Sequence, residues 1–138
     1  MPRSVLIVDD SFVMRVLLKN IVESDPELAV CALAENGRVA LERYAEHAPD
    51  AVLLDIEMPE LDGLGFLEAM PADGRGRVIV VSAVAQAGAD QTERARALGA
   101  CAVIDKPSGA LGLDLAERRG HVIVKALRQA LGLPAPAA

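Results

Sequence analysis

Short apolar runs alternating with longer mixed stretches set the grain of this chain. The runs at 5–8, 28–33, 51–54, 78–81 and 101–104 consist almost wholly of Val, Leu, Ile, Ala and Cys, and each starts 23 to 27 residues after the last. Nearly unbroken apolar runs of this length read as strands buried on both faces. The stretches between them read as helices. Phe12, Val16 and Ile21, with neighbouring apolar residues, recur near helical spacing behind Ser11, a natural N-cap. A second helix follows Asn36-Gly37 and carries Val39, Leu41 and Tyr44; a third follows Asp62-Gly63 with Leu64, Phe66, Leu67 and Met70. A fourth is predicted over 90–98, where Gly99 ends it, and a fifth over 116–131.

Five strand-then-helix units predict an α/β protein: a doubly wound, five-stranded parallel sheet of (βα)5 type, with right-handed crossovers laying helices on both faces. The predicted domain covers residues 1–131. Residues 132–138, rich in Pro and Ala, have the composition of a tail or the start of an interdomain linker. In such sheets ligands bind beyond the carboxyl ends of the strands, where the strand order reverses.

Composition sharpens this picture. With 52% apolar residues but only 2% aromatics in 138 residues, one core must be made from aliphatic side chains. No apolar run approaches the roughly 20 residues that cross a bilayer. The first residues also lack a secretory signal, so a cytoplasmic location is expected. Cys31 and Cys101 fall in predicted strands without metal-type spacing and are expected to be reduced core residues. A net charge of -6 without a basic stripe argues against nucleic acid and suits a cation or a basic partner.

The chemistry gathers at the predicted strand ends. Asp9-Asp10 follow the first strand, Asp55 the third, Ser82 the fourth and Lys106-Pro107 the fifth. Three carboxylates brought together repel one another, and a hard divalent cation relieves that repulsion. Mg²⁺ suits an all-oxygen site that keeps waters and open positions. Asp10 and Asp55 are expected as direct ligands, Asp9 as a ligand through water, and Glu57 as a ligand through its backbone carbonyl. A free oxygen of Asp55 is a competent nucleophile toward phosphorus. Lys106 and Ser82 would then stabilise charge on the transferred group, beside the small Ala83. Taken singly these residues have plain readings, such as an acidic helix cap for Asp9-Asp10. Four strands ending in the right residue types favour the joint one.

The pattern of Leu6-Ile7-Val8-Asp9-Asp10-Ser11, the stretch from Asp55 through Met58-Pro59 to Asp62-Gly63, and Lys106-Pro107 resembles the response-regulator receiver family over about residues 4 to 131. The resemblance implies a flavodoxin-like receiver fold and a phospho-accepting signalling module, with Asp55 taking a phosphoryl group from a sensor histidine kinase. Within the family the chain looks most like the receiver half of the chemotaxis methylesterase, on Glu23-Ser24-Asp25-Pro26-Glu27-Leu28, Lys106-Pro107-Ser108-Gly109 and Leu113-Asp114-Leu115. No Gly-x-Ser-x-Gly of an esterase is present. The expected chain is therefore non-enzymatic beyond its own phosphorylation and dephosphorylation. It would be either the receiver of a longer protein with a methylesterase domain or a single-domain regulator acting by partner docking. It departs from the family at Val103, where an aromatic switch residue usually stands. Glu57 and Val84 are expected near the path of the hydrolytic water.

Two other classes compete. A Mg²⁺-dependent phosphohydrolase that passes through an aspartyl phosphate, of the haloacid-dehalogenase-like kind, usually carries Asp-x-Asp with its nucleophile on the first strand, whereas here Asp55 ends the third. A flavin-binding domain would need a Gly, Ser or Thr phosphate cradle where this chain has Asp9-Asp10-Ser11-Phe12.

Overall fold

The computed structural model describes residues 2–70, 76–82, 84–105 and 113–135, with side chains described for all of these except 84–89, 105 and 113–119. Strands β1 (Arg3–Val8), β2 (Leu28–Ala34), β3 (Ala51–Leu54), β4 (Arg77–Ser82) and β5 (Ala102–Asp105) alternate with helices α1 (Phe12–Glu23), α2 (Gly37–His47), α3 (Gly63–Ala69), α4 (Val84–Ala97) and α5 (Leu113–Ala130). All strand pairs are parallel, in the order β2-β1-β3-β4-β5. The predicted doubly wound sheet is what forms.

The apolar runs divide between two cores by the period-2 alternation of a strand. Leu6, Val8, Val52, Leu54, Val78 and Val80 pack with Ala40, Tyr44, Phe66 and Ala95 from α2, α3 and α4. Val5, Ile7, Leu53, Ile79 and Val81 pack with Leu18 and Val22 of α1 and with Ile123 and Leu127 of α5. Because both faces are covered, these strands need no polar alternation. Aromatic packing is sparse. Tyr44 and Phe66 meet edge to face at 6.3 Å, and the Tyr44 hydroxyl accepts a hydrogen bond from the Gly76 amide at 2.9 Å.

Local chemistry starts three helices where the sequence places them. Ser11 accepts from the Met14 amide at 3.2 Å, Asn36 from Val39 at 2.8 Å and Asp62 from Gly65 at 2.8 Å, each serving an otherwise orphaned first-turn donor. Gly99, at φ +111°, closes α4, with the Ala100 amide reaching back to the Ala95 carbonyl at 3.0 Å.

Four expectations need correcting. α4 begins at Val84, six residues before the predicted 90, and α5 at Leu113, three before the predicted 116. Both early turns lack the apolar spacing used to find the helices. On α1, Phe12 and Val16 are exposed at 70% and 42%, and the buried stripe is Leu18 and Val22 with Met14 and Ile21 beside it. Cys101 is exposed and lies one residue before β5, whereas Cys31 is partly buried in β2. Both thiols are free, and burial pushes the Cys31 thiol up from its ordinary range. No helix among the described residues is long and apolar enough to cross a membrane.

Candidate functional site

The sheet order reverses between β1 and β3, the two central strands that both pair with one another and carry chain outward in opposite directions along the sheet. Immediately beyond their carboxyl ends stand Asp9 and Asp55. Each backbone is still tied to the sheet: the Asp9 amide donates to the Ala34 carbonyl at 3.0 Å and the Asp55 amide to the Val8 carbonyl at 2.9 Å. The two side chains are thus placed by strand geometry rather than by a free loop.

Carboxylate oxygens of Asp9, Asp10 and Asp55 all lie within 4.8 Å of one another. Asp9 and Asp55 are buried, and Asp10 is exposed at the rim. Asp9 is oriented from two sides. Its Oδ1 accepts from the Ser11 amide at 2.9 Å, and its backbone carbonyl accepts from Arg15 Nη1 at 2.7 Å. Three like charges this close, two of them shielded from water, favour a bound cation. The donor set is all oxygen, small and partly open to solvent, which fits a hard ion such as Mg²⁺ and not a soft one that wants thiolate or imidazole.

The loop after Asp55 is cinched down by two glycines. The Gly63 amide donates to the Ile56 carbonyl at 2.7 Å, and the Gly37 amide to the Leu61 carbonyl at 2.7 Å. A Cβ at Gly37 would fall 2.3 Å from the Leu61 carbonyl oxygen, so glycine is required by close approach rather than by backbone torsion. Glu60, at φ +68°, makes the bend between them, and Arg38 reaches it at 3.3 Å. Glu57 sits in this loop, exposed, two residues past Asp55.

Ser82 is buried at the end of β4, in register with Asp105 of β5. The other expected site residues, Ala83, Lys106 and Pro107, lie outside the described residues, as does the isomer of the Lys106-Pro107 bond. Val84 begins α4. Val103, in β5, is partly buried against the core on the α2, α3 and α4 side.

Two features of the site were not anticipated from sequence. Arg15, one turn into α1, holds the Asp9 backbone and lies 5.8 Å from the Phe12 ring centroid. The signal for it is a basic residue at the i+4 position from the N-cap, which alone is commonplace. Phe12 and Val13, two and three residues past Asp10, are exposed at 70% and 73% at the start of α1.

Comparison with known proteins agrees with this geometry. Residues 5–129 match the response regulator receiver domain family. The chain is 42% identical over 130 residues to the protein-glutamate methylesterase/protein-glutamine glutaminase of Pyrococcus horikoshii, covering 94% of this chain and 35% of that protein. Its counterpart 1 in Syntrophomonas wolfei is 44% identical over 126 residues, covering 91% and 36%. The chain thus spans about a third of the length of the curated relatives it matches. Among solved structures, the response regulator domain of Thermotoga maritima CheB superposes with a TM-score of 0.82 at 36% identity, covering 97% of this chain and 99% of that one. A chain from the complex of the P1 domain of CheA3 with CheY6 of R. sphaeroides superposes with a TM-score of 0.77, also at 36% identity, covering 95% and 98%. Strand order, the acidic pocket at the reversal point and these matches lead to one conclusion: the chain belongs to the response regulator receiver domain family.

Proposed function

We propose that this chain is a phosphorylation-controlled module of chemotaxis-type signalling, in which Asp55 accepts a phosphoryl group from a phosphohistidine of a sensor histidine kinase. The observation that carries the reading is the approach of the Asp9, Asp10 and Asp55 carboxylates to within 4.8 Å at the strand ends.

In the proposed step an Asp55 oxygen forms the new bond to phosphorus while the bond from phosphorus to the histidine nitrogen breaks, and the imidazole keeps that electron pair. Asp55 is suited to the role because β3 holds its backbone rigid and burial keeps competing water away. Asp9, Asp10, Asp55 and the carbonyl of Glu57 are the residues that would hold Mg²⁺, which when bound supplies positive charge to the oxygens of the transferred group. The Ser82 hydroxyl and the Lys106 ammonium are assigned to the same oxygens. Phe12 and Val13 give the donor protein an apolar edge to settle on beside the pocket.

The remaining assignments belong to the same proposal, supported by the family match over residues 5–129 and by the relatives' names. Residues 1–131 form the receiver and 132–138 a tail or the beginning of a linker. The chain itself catalyses only its own phosphorylation and dephosphorylation, in the cytoplasm, and its output passes to a methylesterase domain or another partner protein.

The test is the intact mass after incubation with acetyl phosphate, with and without Mg²⁺, for wild type and Asp55→Asn. One phosphate adduct that requires Mg²⁺ and is lost in the variant is expected. No adduct in wild type would sink the reading and point to constitutive partner binding.

A further inference from the structure

At the opposite end of the sheet from Asp55, near the close of α5, Arg128 is buried with its side chain only 7% exposed. Its Nη1 donates to Asp25 Oδ2 at 2.8 Å, its Nη2 to Glu27 Oε1 at 2.9 Å and its Nε to the Pro134 carbonyl at 2.6 Å. A guanidinium cannot shed its proton to escape burial, so it must be paired in this way. Of the two carboxylate partners, the Asp25 side chain is only 10% exposed and is itself fixed, whereas the Glu27 side chain is 56% exposed. Asp25 Oδ1 accepts from the Glu27 amide at 2.9 Å, and the Asp25 carbonyl accepts from Leu28 at 3.0 Å as β2 begins.

The end of α5 does not need Arg128 for capping. The Leu131, Gly132 and Leu133 amides already return to the carbonyls of Leu127, Gln129 and Arg128, and Gly132 at φ +73° turns the chain back. Leu133 then packs on the core between α1 and α5. What the Nε contact adds is a fixed direction for the backbone beyond Leu133.

We infer that Arg128 is an exit strap: it ties the outgoing chain at Pro134 to the α1–β2 turn through Asp25 and Glu27, so that the backbone at Pro134 and Ala135 leaves the domain in one direction, set by that turn. The strap does not depend on the phosphoacceptor reading, since none of its atoms belongs to that site. It places the departure point at the end of the sheet remote from the acidic pocket, where Arg3 and Leu28 pair.

The test is the steady-state ¹H–¹⁵N NOE of the full chain. In wild type, the Leu133 and Ala135 values are expected to stay near that of Leu127. In Arg128→Lys, which keeps the charge but loses the planar fork, the Ala135 value should fall by half or more and the Asp25 and Glu27 amides should shift. The double variant Asp25→Asn/Glu27→Gln leaves α5 untouched and should loosen Ala135 in the same way; it decides the matter if Arg128→Lys does not fold. A wild-type Ala135 already as mobile as a free terminus would overturn the inference. So would a folded variant whose Ala135 stays as rigid as in wild type.

Discussion

Gly63 lies so close to Asp55 that a Cβ on it would stand 2.3 Å from the Asp55 carbonyl oxygen and 2.7 Å from the Ile56 Cα. The atoms in the way are backbone, so no side chain can swing aside to make room. The first residue of α3 thereby presses the residue that follows β3 into place.

This contact predicts that Gly63→Ala displaces the Asp55 loop. The expected cost is about 1 to 3 kcal/mol, the usual range for forcing extra atoms into a packed site, with a matching drop in the rate of labelling by acetyl phosphate. Gly99→Ala is the contrast. It has nothing within 4 Å but sits at φ +111°, so it should cost about 1 to 2 kcal/mol of backbone strain and leave labelling unchanged. Urea denaturation and labelling rates on both variants separate the two effects. Equal labelling in both would show that the Gly63 contact does not position Asp55.

Clustered carboxylates predict a second outcome. Asp10 is exposed, and its removal relieves repulsion without disturbing the Ser11 amide, which is held by Asp9. Asp10→Asn should therefore melt at the same temperature as wild type or slightly above it in chelator, and should lose the stabilisation that Mg²⁺ gives wild type. That stabilisation amounts to about 1.4 kcal/mol at tenfold the dissociation constant. Thermal melts with and without Mg²⁺ measure it. An equal Mg²⁺ response in the variant would remove Asp10 from the ligand set.

These expectations rest on features that were legible in the sequence to different degrees. The five strands were visible because two-sided burial makes them almost purely aliphatic, and the carboxylates could be grouped because each directly follows such a run. Ser11 marks the start of α1 as an N-cap, a local mechanism that needs no tertiary context, and Asn36-Gly37 and Asp62-Gly63 mark the starts of α2 and α3 to within a residue, with Asn36 and Asp62 found as their caps only in the structure. The first turns of α4 and α5 have no such marker and were missed. Phe12 and Val16 misled because helical spacing identifies an apolar face without saying what covers it. Cys101 was misplaced because an apolar neighbour after Ala100 looks the same whether it begins a strand or leads into one. Arg128 was invisible for another reason: its partners are 101 and 103 residues away. Val103, where the resemblance implies an aromatic side chain, is a small aliphatic residue partly buried against the core.

The two thiols should separate by chemistry. Burial, more than the opposing backbone hydrogen bond, raises the pKa of Cys31, and the nearby charge of Asp50 adds to it. Cys101 is exposed. Alkylation of the folded protein at pH 8 should label Cys101 first, with Cys31 reacting only on unfolding, as peptide mass mapping would show. The sign for stability follows from the raised folded value. The folded state holds the Cys31 proton more tightly than the unfolded chain, so its contribution is intact below about pH 9, the unfolded thiol's own range, and is lost as pH climbs through the higher folded value. A Cys31→Ala variant should not show that alkaline loss. Simultaneous labelling of both thiols in the folded protein would contradict the burial argument.

Phe12 and Val13 distinguish a protein donor from a small one. Both are exposed by more than two thirds and contribute nothing to either core, so Phe12→Ala/Val13→Ala should change folding stability by no more than about 0.5 kcal/mol. Acetyl phosphate needs only the pocket, and its labelling of Asp55 should be unaffected. A phosphohistidine carried on a kinase domain must bring a whole surface up to the rim, and apolar contacts removed there should slow its transfer about tenfold, equivalent to about 1.4 kcal/mol of lost binding. The comparison is internal, because the chemistry at Asp55 is the same for both donors. Transfer slowed from the protein alone would assign the rim to docking; transfer slowed from both would mean that Phe12 acts on the pocket through Arg15, which lies beside its ring and holds Asp9.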